Sequence, residues 1–226
     1  MKIRYFGHAC FSVETAGGTL LFDPFITPNE KAGGIELEQI QADFVLLTHG
    51  HEDHVADAEA ILKRTGALLI ANYEIVSWFQ QRGIQQAHPL NHGGGADFAF
   101  GRATFVQAVH SSVLPDGTYG GNPGGFVIEA EGETFYNSGD TALTLDMKLV
   151  GEKWAIDWAA LCLGDNFTMG PEDAARAAEF VGTQQVLGIH YDTFPYIEID
   201  REAAQATFSA KGIELHLPPI GGELAL

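Results

Sequence analysis

The sequence is poor in positive charge. Its 226 residues include 12 lysines and arginines against 30 aspartates and glutamates, so the formal net charge is −18 at pH 7. The basic residues are scattered and form no cluster. A chain of this charge repels the phosphate backbone of nucleic acids and anionic membrane surfaces. We therefore expect neither a nucleic acid nor a membrane as its partner.

Cysteine and long apolar runs are also scarce. The two cysteines, Cys10 and Cys162, each lie in an apolar run, which excludes a disulfide framework and a CxxC motif and predicts buried reduced thiols. No apolar run reaches transmembrane length, and residues 1–6 predict a strand rather than a signal peptide. These features predict a protein of the reducing cytoplasm.

No repeat and no linker-like segment divides the chain, so we expect a single domain over residues 1–226. In each half, short strands joined by turns come first, and strands alternating with helices follow. This order predicts an α/β fold with two mixed sheets and helices outside them. The predicted helices are residues 55–64, 73–82, 171–181 and 201–210, and residues 91–95 form a predicted turn. The predicted strands are residues 3–6, 10–14, 19–22, 44–47, 67–70, 103–109, 126–130, 134–136, 158–163, 186–189 and 213–217.

A dense polar segment directly follows the apolar run at residues 44–47. It reads Thr48-His49-Gly50-His51-Glu52-Asp53-His54, an H-x-H-x-D-H pattern with four potential metal ligands. Neutral imidazole and carboxylate are ligand types that bind Zn²⁺ and similar ions. A core strand rarely ends in so many polar groups, because buried polar groups need partners. The pattern therefore indicates a metal site rather than a solvated turn.

Three further potential ligands follow later strands. His110 comes after the predicted strand 103–109, Asp140 after the predicted hairpin, and His190 after the strand 186–189. Loops converge at strand ends in open α/β sheets, so we expect these residues to meet the first motif. Together they are enough for two metal ions. Histidines leave the charge of an ion uncancelled, and a carboxylate between two ions can hold both.

With these residues in this order, the sequence resembles the metallo-β-lactamase superfamily of hydrolases over essentially its whole length. The segment Phe6-Gly7-His8-Ala9 and residues 163–171 and 190–195 are similar to the UPF0173 metal-dependent hydrolases, a group that is similar to the ascorbate-6-phosphate lactonases. The resemblance implies an αββα sandwich with the site at one edge. It also implies that a hydroxide held between two metals attacks a small ester, lactone or phosphodiester.

The resemblance assigns each of the seven candidate ligands to an ion. One ion would be held by His49, His51 and His110, a second by Asp53, His54 and His190, and Asp140 would bridge the two. Zn²⁺ suits this histidine-rich set, although Mn²⁺, Ni²⁺ or Fe²⁺ could occupy it. The candidate catalytic residues are Asp53 and His8. Because all metal positions are filled without it, His8 would either help the substrate oxyanion or leaving group, or fix a neighbouring loop.

Several other residues keep two interpretations. Asp23 could brace the histidine loop or cap the turn before Pro24. Asn166 and Thr168 could line the site or shape the turn before residue 171, and the structural role is favoured for Thr168. The glycine-rich loop at residues 114–125 could be a wall or lid over the site, or an exposed connector. The remaining histidines lack a motif context and are predicted to be surface or loop residues: His88, His92 and His216.

A hydrolase is the leading function. A diiron redox enzyme of the same fold usually carries an acid where this chain has His51, and a nuclease usually adds a nucleic-acid-binding segment that this short acidic chain lacks. A metal-binding redox protein or a non-catalytic scaffold remains the alternative. The expected partner is a small-molecule substrate, and a homo-oligomer is left open.

Overall fold

Two seven-stranded mixed sheets form the centre of the computed structural model, which describes residues 1–225. In that range the strands are β1 (Lys2–Gly7), β2 (Cys10–Thr15), β3 (Gly18–Phe22), β4 (Phe44–Leu46), β5 (Leu68–Asn72), β6 (Ala87–Leu90), β7 (Gly95–Phe98), β8 (Gly101–Gln107), β9 (Gly124–Ala130), β10 (Glu133–Asn137), β11 (Trp158–Cys162), β12 (Gln185–Ile189), β13 (Glu214–His216) and β14 (Glu223–Ala225). The first sheet has the order β14-β1-β2-β3-β4-β5-β6, and the second runs from β13 to β7 in reverse chain order.

Each sheet is antiparallel at one end and parallel at the other. The pairs are antiparallel from β14 to β3 and parallel from β3 to β6. In the second sheet, β7 to β10 are antiparallel and β10 to β13 are parallel. The two mixed sheets expected from the sequence are therefore confirmed.

Side chains of the first sheet alternate between two apolar clusters. Phe22 and Leu46 belong to the cluster between the sheets, whereas Leu21 and Val45 belong to the cluster on the outer face. This alternation follows from the two-residue period of a strand. The ring centroids of Phe22 and Phe126 lie 6.2 Å apart, so the two sheets are in direct contact. The fold is the predicted sandwich of two sheets packed face to face.

Helices cover the outer faces. In the described range they are α1 (Glu52–Val55), α2 (Ala58–Thr65), α3 (Tyr73–Gln81), α4 (Asp146–Lys153), α5 (Pro171–Val181) and α6 (Arg201–Ser209). Ile61 of α2 and Phe79 of α3 are fully buried in the cluster outside the first sheet. On the second sheet, α5 packs on β11 and α6 on β13. None of the described helices combines the length and the apolar composition that a membrane crossing needs.

The single helix predicted at residues 55–64 is wrong. The chain forms α1 and α2 instead, with Asp57 between them. The Asp57 carboxylate accepts hydrogen bonds from the backbone N–H groups of Ile26 and Thr27 at 2.6 and 2.8 Å, and the Asp57 N–H donates to the carbonyl oxygen of Pro24 at 3.1 Å. The break therefore fixes the loop that follows β3 against the segment that carries the histidine motif.

Four elements were missed. The strands β6, β7 and β14 are short and lie at or next to sheet edges, and β6 contains Pro89 while β7 begins at Gly95, both poor strand formers. The fourth is α4, which packs on α5. The predicted strand 103–109 ends at Gln107, so His110 lies two residues further from its strand end than predicted.

Candidate metal centre

The candidate ligands are delivered by loops at one edge of both sheets. The H-x-H-x-D-H segment leaves β4, which lies between β3 and β5 in the parallel part of the first sheet. Asp140 and His190 follow β10 and β12, which lie on either side of β11 in the parallel part of the second sheet. The backbone N–H of His190 donates to the carbonyl oxygen of His8 at 2.9 Å, so the two sets of loops are joined directly.

The structure brings all seven predicted ligands together: six form two groups, and Asp140 joins them in a third group with His49 and His54. Within each group, one potential ligand atom of each residue lies within 4.8 Å of the others. The first group consists of His49, His51 and His110, and the second contains Asp53, His54 and His190 together with His8. These are the two sets that the resemblance implied, with His8 as an unforeseen neighbour of the second.

Asp140 lies between the two groups. Its Oδ2 atom is 2.9 Å from Nε2 of His190, 3.3 Å from Nε2 of His54, 3.6 Å from Nε2 of His110 and 4.0 Å from Nε2 of His49. The carboxylate is almost completely buried. One oxygen atom therefore faces histidines of both groups, which is the position that a bridging ligand requires.

The donor atoms fit divalent cations. Nε2 of His49 and Nδ1 of His51 lie 2.9 Å apart. Nε2 of His54 and Oδ1 of Asp140 are buried without a hydrogen-bond partner among the described residues. An unpartnered buried polar group costs about 1–3 kcal/mol. Metal ions satisfy lone pairs that converge in this way, and neutral imidazole and carboxylate are the donors they use.

Neighbouring histidines keep the carboxylate of Asp140 ionised. Burial alone would raise the pKa of Asp140, but His190 and His54 lower it well below its ordinary value. Burial opposes the proton on His190, yet Asp140 and Asp53 raise the pKa of His190 to about 9. Burial, reinforced by His54, holds the pKa of His49 well below its ordinary value. Metals bind the ionised carboxylate and the neutral imidazole, so an ion bound at His190 would displace a proton from that side chain.

Asp23 contacts the histidine motif from behind. Its Oδ2 atom is 3.0 Å from Nδ1 of His54 and accepts a hydrogen bond from the Thr48 hydroxyl at 2.8 Å, while Oδ1 accepts from the Thr48 N–H at 2.8 Å. An ionised carboxylate only accepts, so Nδ1 of His54 carries a proton toward Asp23, and Nε2 is the atom that would bind an ion. The geometry favours the bracing interpretation of Asp23.

His8 contacts Asp53 rather than the open part of the site. Its Nε2 lies 3.0 Å from Oδ2 of Asp53, and its Nδ1 lies 2.8 Å from Oγ1 of Thr193. The residue is 1% exposed. A hydroxyl that donates to Nδ1 leaves the imidazole proton on Nε2, where it can be donated to Asp53. This geometry favours a role in positioning Asp53 over direct contact with a substrate.

A cavity of about 210 Å³ opens above the ligands. Five candidate metal ligands line it: His51, Asp53, His110, Asp140 and His190. Its other lining residues, which received no individual role from the sequence, are Ser111, Phe167 and Phe194. Asn166 and Thr168 do not line it. Asn166 has a positive φ of 50°, and the Thr168 hydroxyl donates to the carbonyl oxygen of Met169 at 3.4 Å, so both belong to the turn before α5.

The loop at residues 114–125 is anchored along its length. Asp116 accepts hydrogen bonds from Nε1 of Trp78 at 2.8 Å and from Nη2 of Arg82 at 2.9 Å, both at α3 or its end. The Asn72 side-chain amide donates to the carbonyl oxygens of Gly120 and Asn122 at 2.7 and 3.2 Å. Residues 115–119 are nevertheless exposed, and none of residues 114–125 lines the cavity, so the structure favours an anchored, exposed connector over a wall or lid.

The three remaining histidines lie outside the two groups. His92 occupies a turn, as predicted, and its Nε2 is 2.9 Å from the carbonyl oxygen of Pro123. His88 and His216 are half-buried in β6 and β13, so their prediction as surface or loop residues is wrong. Of these two strands, β6 was not predicted, whereas β13 lies within the strand predicted at residues 213–217.

Comparison with known proteins agrees with this geometry. The family model described as the β-lactamase superfamily domain matches residues 2–190. Metal-dependent hydrolases of the UPF0173 group from Flavobacterium johnsoniae and Christiangramia forsetii are 49% and 47% identical to the chain, and each match covers 100% of both sequences. The chain therefore belongs to the β-lactamase superfamily and, within it, to the UPF0173 metal-dependent hydrolases.

A solved structure extends the comparison. Igni18, described as a novel metallo hydrolase from the hyperthermophilic archaeon Ignicoccus hospitalis, superimposes with a TM-score of 0.88 at 33% identity, and the match covers 99% of this chain and 97% of that one. The fold is thus shared over nearly the whole length of both chains.

Proposed function

We propose that this chain is a binuclear metal-dependent hydrolase of small molecules. The observation that carries the proposal is the position of Asp140, whose single oxygen atom faces histidines of both donor groups. His49, His51 and His110 would hold one ion, and Asp53, His54 and His190 the other. Zn²⁺ is the proposed ion for this histidine-rich set.

The bound ions would supply Lewis acidity toward a carbonyl or phosphoryl oxygen and would lower the pKa of water. The residues of the chain would keep that centre assembled. Asp140 and Asp53 contribute negative charge, and Asp23 directs the lone pair of His54 toward the centre. His8, fixed by Thr193, would hold Asp53 in place.

The surroundings of the site support a small substrate. The cavity above the ligands is about 210 Å³, which suits a small molecule, and the net charge of −18 disfavours a polyanion such as nucleic acid. Two buried free cysteines support a reducing compartment, and we propose the cytoplasm.

The test is elemental analysis of protein purified without a metal-affinity tag, followed by an activity screen over esters, lactones and phosphodiesters. We expect about two equivalents of metal per chain, and hydrolysis that is lost on chelation and restored by added Zn²⁺. Chelation should also lower the melting temperature, because an ion that binds only the folded state stabilises it. Full turnover in demetallated protein would overturn the proposal, as would a fully loaded protein that hydrolyses none of these substrates.

A further inference from the structure

We infer that the substrate is an uncharged ester or lactone carrying an aliphatic or aromatic group, and that Phe167 and Phe194 bind that group. The inference rests on the proposed function, and it narrows the substrate classes from esters, lactones and phosphodiesters to esters and lactones.

The cavity wall is divided into two chemically different parts. One part consists of the metal-ligand candidates, and the other presents the rings of Phe167 and Phe194. Neither lysine nor arginine lines it. A charged substituent on the substrate, such as a phosphate or carboxylate away from the reacting bond, would therefore meet phenyl rings without a cationic partner. An apolar substituent would be removed from water by the same rings.

Phe167 is held over the site by a constrained turn. It is 54% exposed, although a phenylalanine gains nothing from water. The two preceding residues, Asp165 and Asn166, have φ values of 58° and 50°. Aspartate and asparagine are among the side chains that tolerate this left-handed conformation best after glycine, so these two residues define the turn that presents Phe167.

The turn is also fixed relative to the metal centre. The Asp165 N–H donates to the carbonyl oxygen of Met169 at 3.0 Å, and the Met169 N–H donates to that of Thr141 at 3.0 Å. Thr141 directly follows Asp140, the residue between the two donor groups. The distance between the Phe167 ring and the reacting centre is therefore set by a short chain of backbone hydrogen bonds.

The ring of Phe194 packs against two other aromatic rings. Its ring centroid lies 5.5 Å from that of His8 and 6.2 Å from that of Phe25. Tyr196, 74% exposed, lies with its ring centroid 6.2 Å from that of Phe167 and extends the apolar surface outward. Because the Phe194 ring packs against His8 and Phe25, it loses little conformational entropy when a substrate binds. A cavity of roughly 150 Å³ can hold benzene, so about 210 Å³ accommodates a group of that size next to the reacting bond.

The substrate test compares γ-lactones on the metal-loaded protein. The series carries alkyl chains of increasing length on the ring, and one further lactone carries a carboxylate in place of the alkyl chain. Each buried methylene should raise kcat/KM about fourfold, the change that corresponds to its transfer from water. The carboxylated lactone should be the poorest substrate. A rate that does not depend on chain length, or a preference for the carboxylated lactone, would overturn the inference.

A binding measurement makes the test independent of turnover. The corresponding γ-lactams keep the shape of the lactones but resist hydrolysis, and calorimetry on metal-loaded protein gives their affinities. We expect the affinity to increase with chain length, and Phe167→Ala and Phe194→Leu to reduce that increase while the metal content stays at the wild-type level. The matched control is Tyr73→Ala, since Tyr73 is an aromatic residue of similar exposure, 62%, that does not line the cavity.

The outcomes separate the two claims. If lactams bind with the expected chain-length dependence but no ester, lactone or phosphodiester is hydrolysed, the proposed function fails and the apolar subsite stands. If lactones are hydrolysed but the phenylalanine variants bind and turn over all chain lengths as Tyr73→Ala does, the proposed function stands and the inference is wrong.

Discussion

Replacing Asp23 with asparagine should weaken metal binding without removing any ligand. The two side chains have nearly the same shape, and the carbonyl oxygen of an asparagine can still accept the Thr48 N–H. The amide nitrogen, however, would face two donors, Nδ1 of His54 and the Thr48 hydroxyl, which lie 3.0 and 2.8 Å from the present Oδ2. A donor cannot accept a hydrogen bond, so His54 would move its proton to Nε2, the atom that faces Asp140 at 3.3 Å.

The expected magnitude follows from that change of tautomer. Loss of an outer hydrogen-bond partner of a ligand typically weakens metal affinity by about 10–100-fold. This corresponds to about 1.4–2.8 kcal/mol of binding free energy. The measurement is a competition titration of Zn²⁺ between the demetallated protein and a chromophoric chelator, which resolves the stronger and the weaker ion. We expect the ion held by the His54 group to be affected most.

Asp57→Asn is the matched control. Asp57 is also a buried aspartate that accepts hydrogen bonds, but its donors are the backbone N–H groups of Ile26 and Thr27, which lie outside the histidine motif. This variant should lower the melting temperature and leave the Zn²⁺ affinity of the folded protein unchanged. Wild-type affinity in folded Asp23→Asn protein, or an equal loss in the control, would refute the bracing role.

Three further predictions follow from the same geometry. Asp140→Ala should lose both metal content and turnover, whereas His88→Ala should lose neither, as measured by elemental analysis and initial rates; two full equivalents of metal in the Asp140 variant would contradict a bridging role. His8→Asn keeps a residue that tolerates the left-handed backbone at this position. This variant should bind the ion of the Asp53, His54 and His190 group more weakly. If both ions remain bound and only turnover falls, by about 10²–10⁴-fold, His8 is catalytic instead. Burial raises the pKa of Cys162 to about 11 and that of Cys10 still further, so only about one Cys162 thiol in a thousand is ionised at pH 8. Native protein should therefore react with a disulfide reagent far more slowly than unfolded protein. Equal rates would contradict buried thiols.

The parts of the fold that the sequence predicts depend on local patterns. The runs at residues 44–47 and 158–163 are apolar enough to indicate central strands, and the H-x-H-x-D-H motif places four donors at the end of the first of these. His110, Asp140 and His190 were located by their positions after strands and by the family resemblance. Their actual grouping depends on which strands are neighbours, and it is the parallel arrangement of β10, β11 and β12 that brings Asp140 beside His190.

The parts that the sequence did not predict depend on contacts between distant residues. The break between α1 and α2 is made by hydrogen bonds from Asp57 to a loop about 30 residues earlier in the chain. The contact between His8 and Thr193 joins residues 185 positions apart. Phe167 and Phe194 look like ordinary aromatic residues in the sequence, and only the folded chain shows that both face the cavity.

Left-handed backbone conformations at residues other than glycine also indicate where the functional site lies. Among residues 1–225, seven residues other than glycine have a positive φ, and six of them are His8, Asp23, Asp165, Asn166, His190 and Asp192. Histidine, aspartate and asparagine tolerate this left-handed conformation better than most side chains, so each of these bends keeps a polar group. For His8, Asp23 and His190, those side chains make hydrogen bonds and charge contacts within the metal centre. The turn at Asp165 and Asn166 precedes Phe167, which lines the cavity above the same centre, and this position supports a function for that ring.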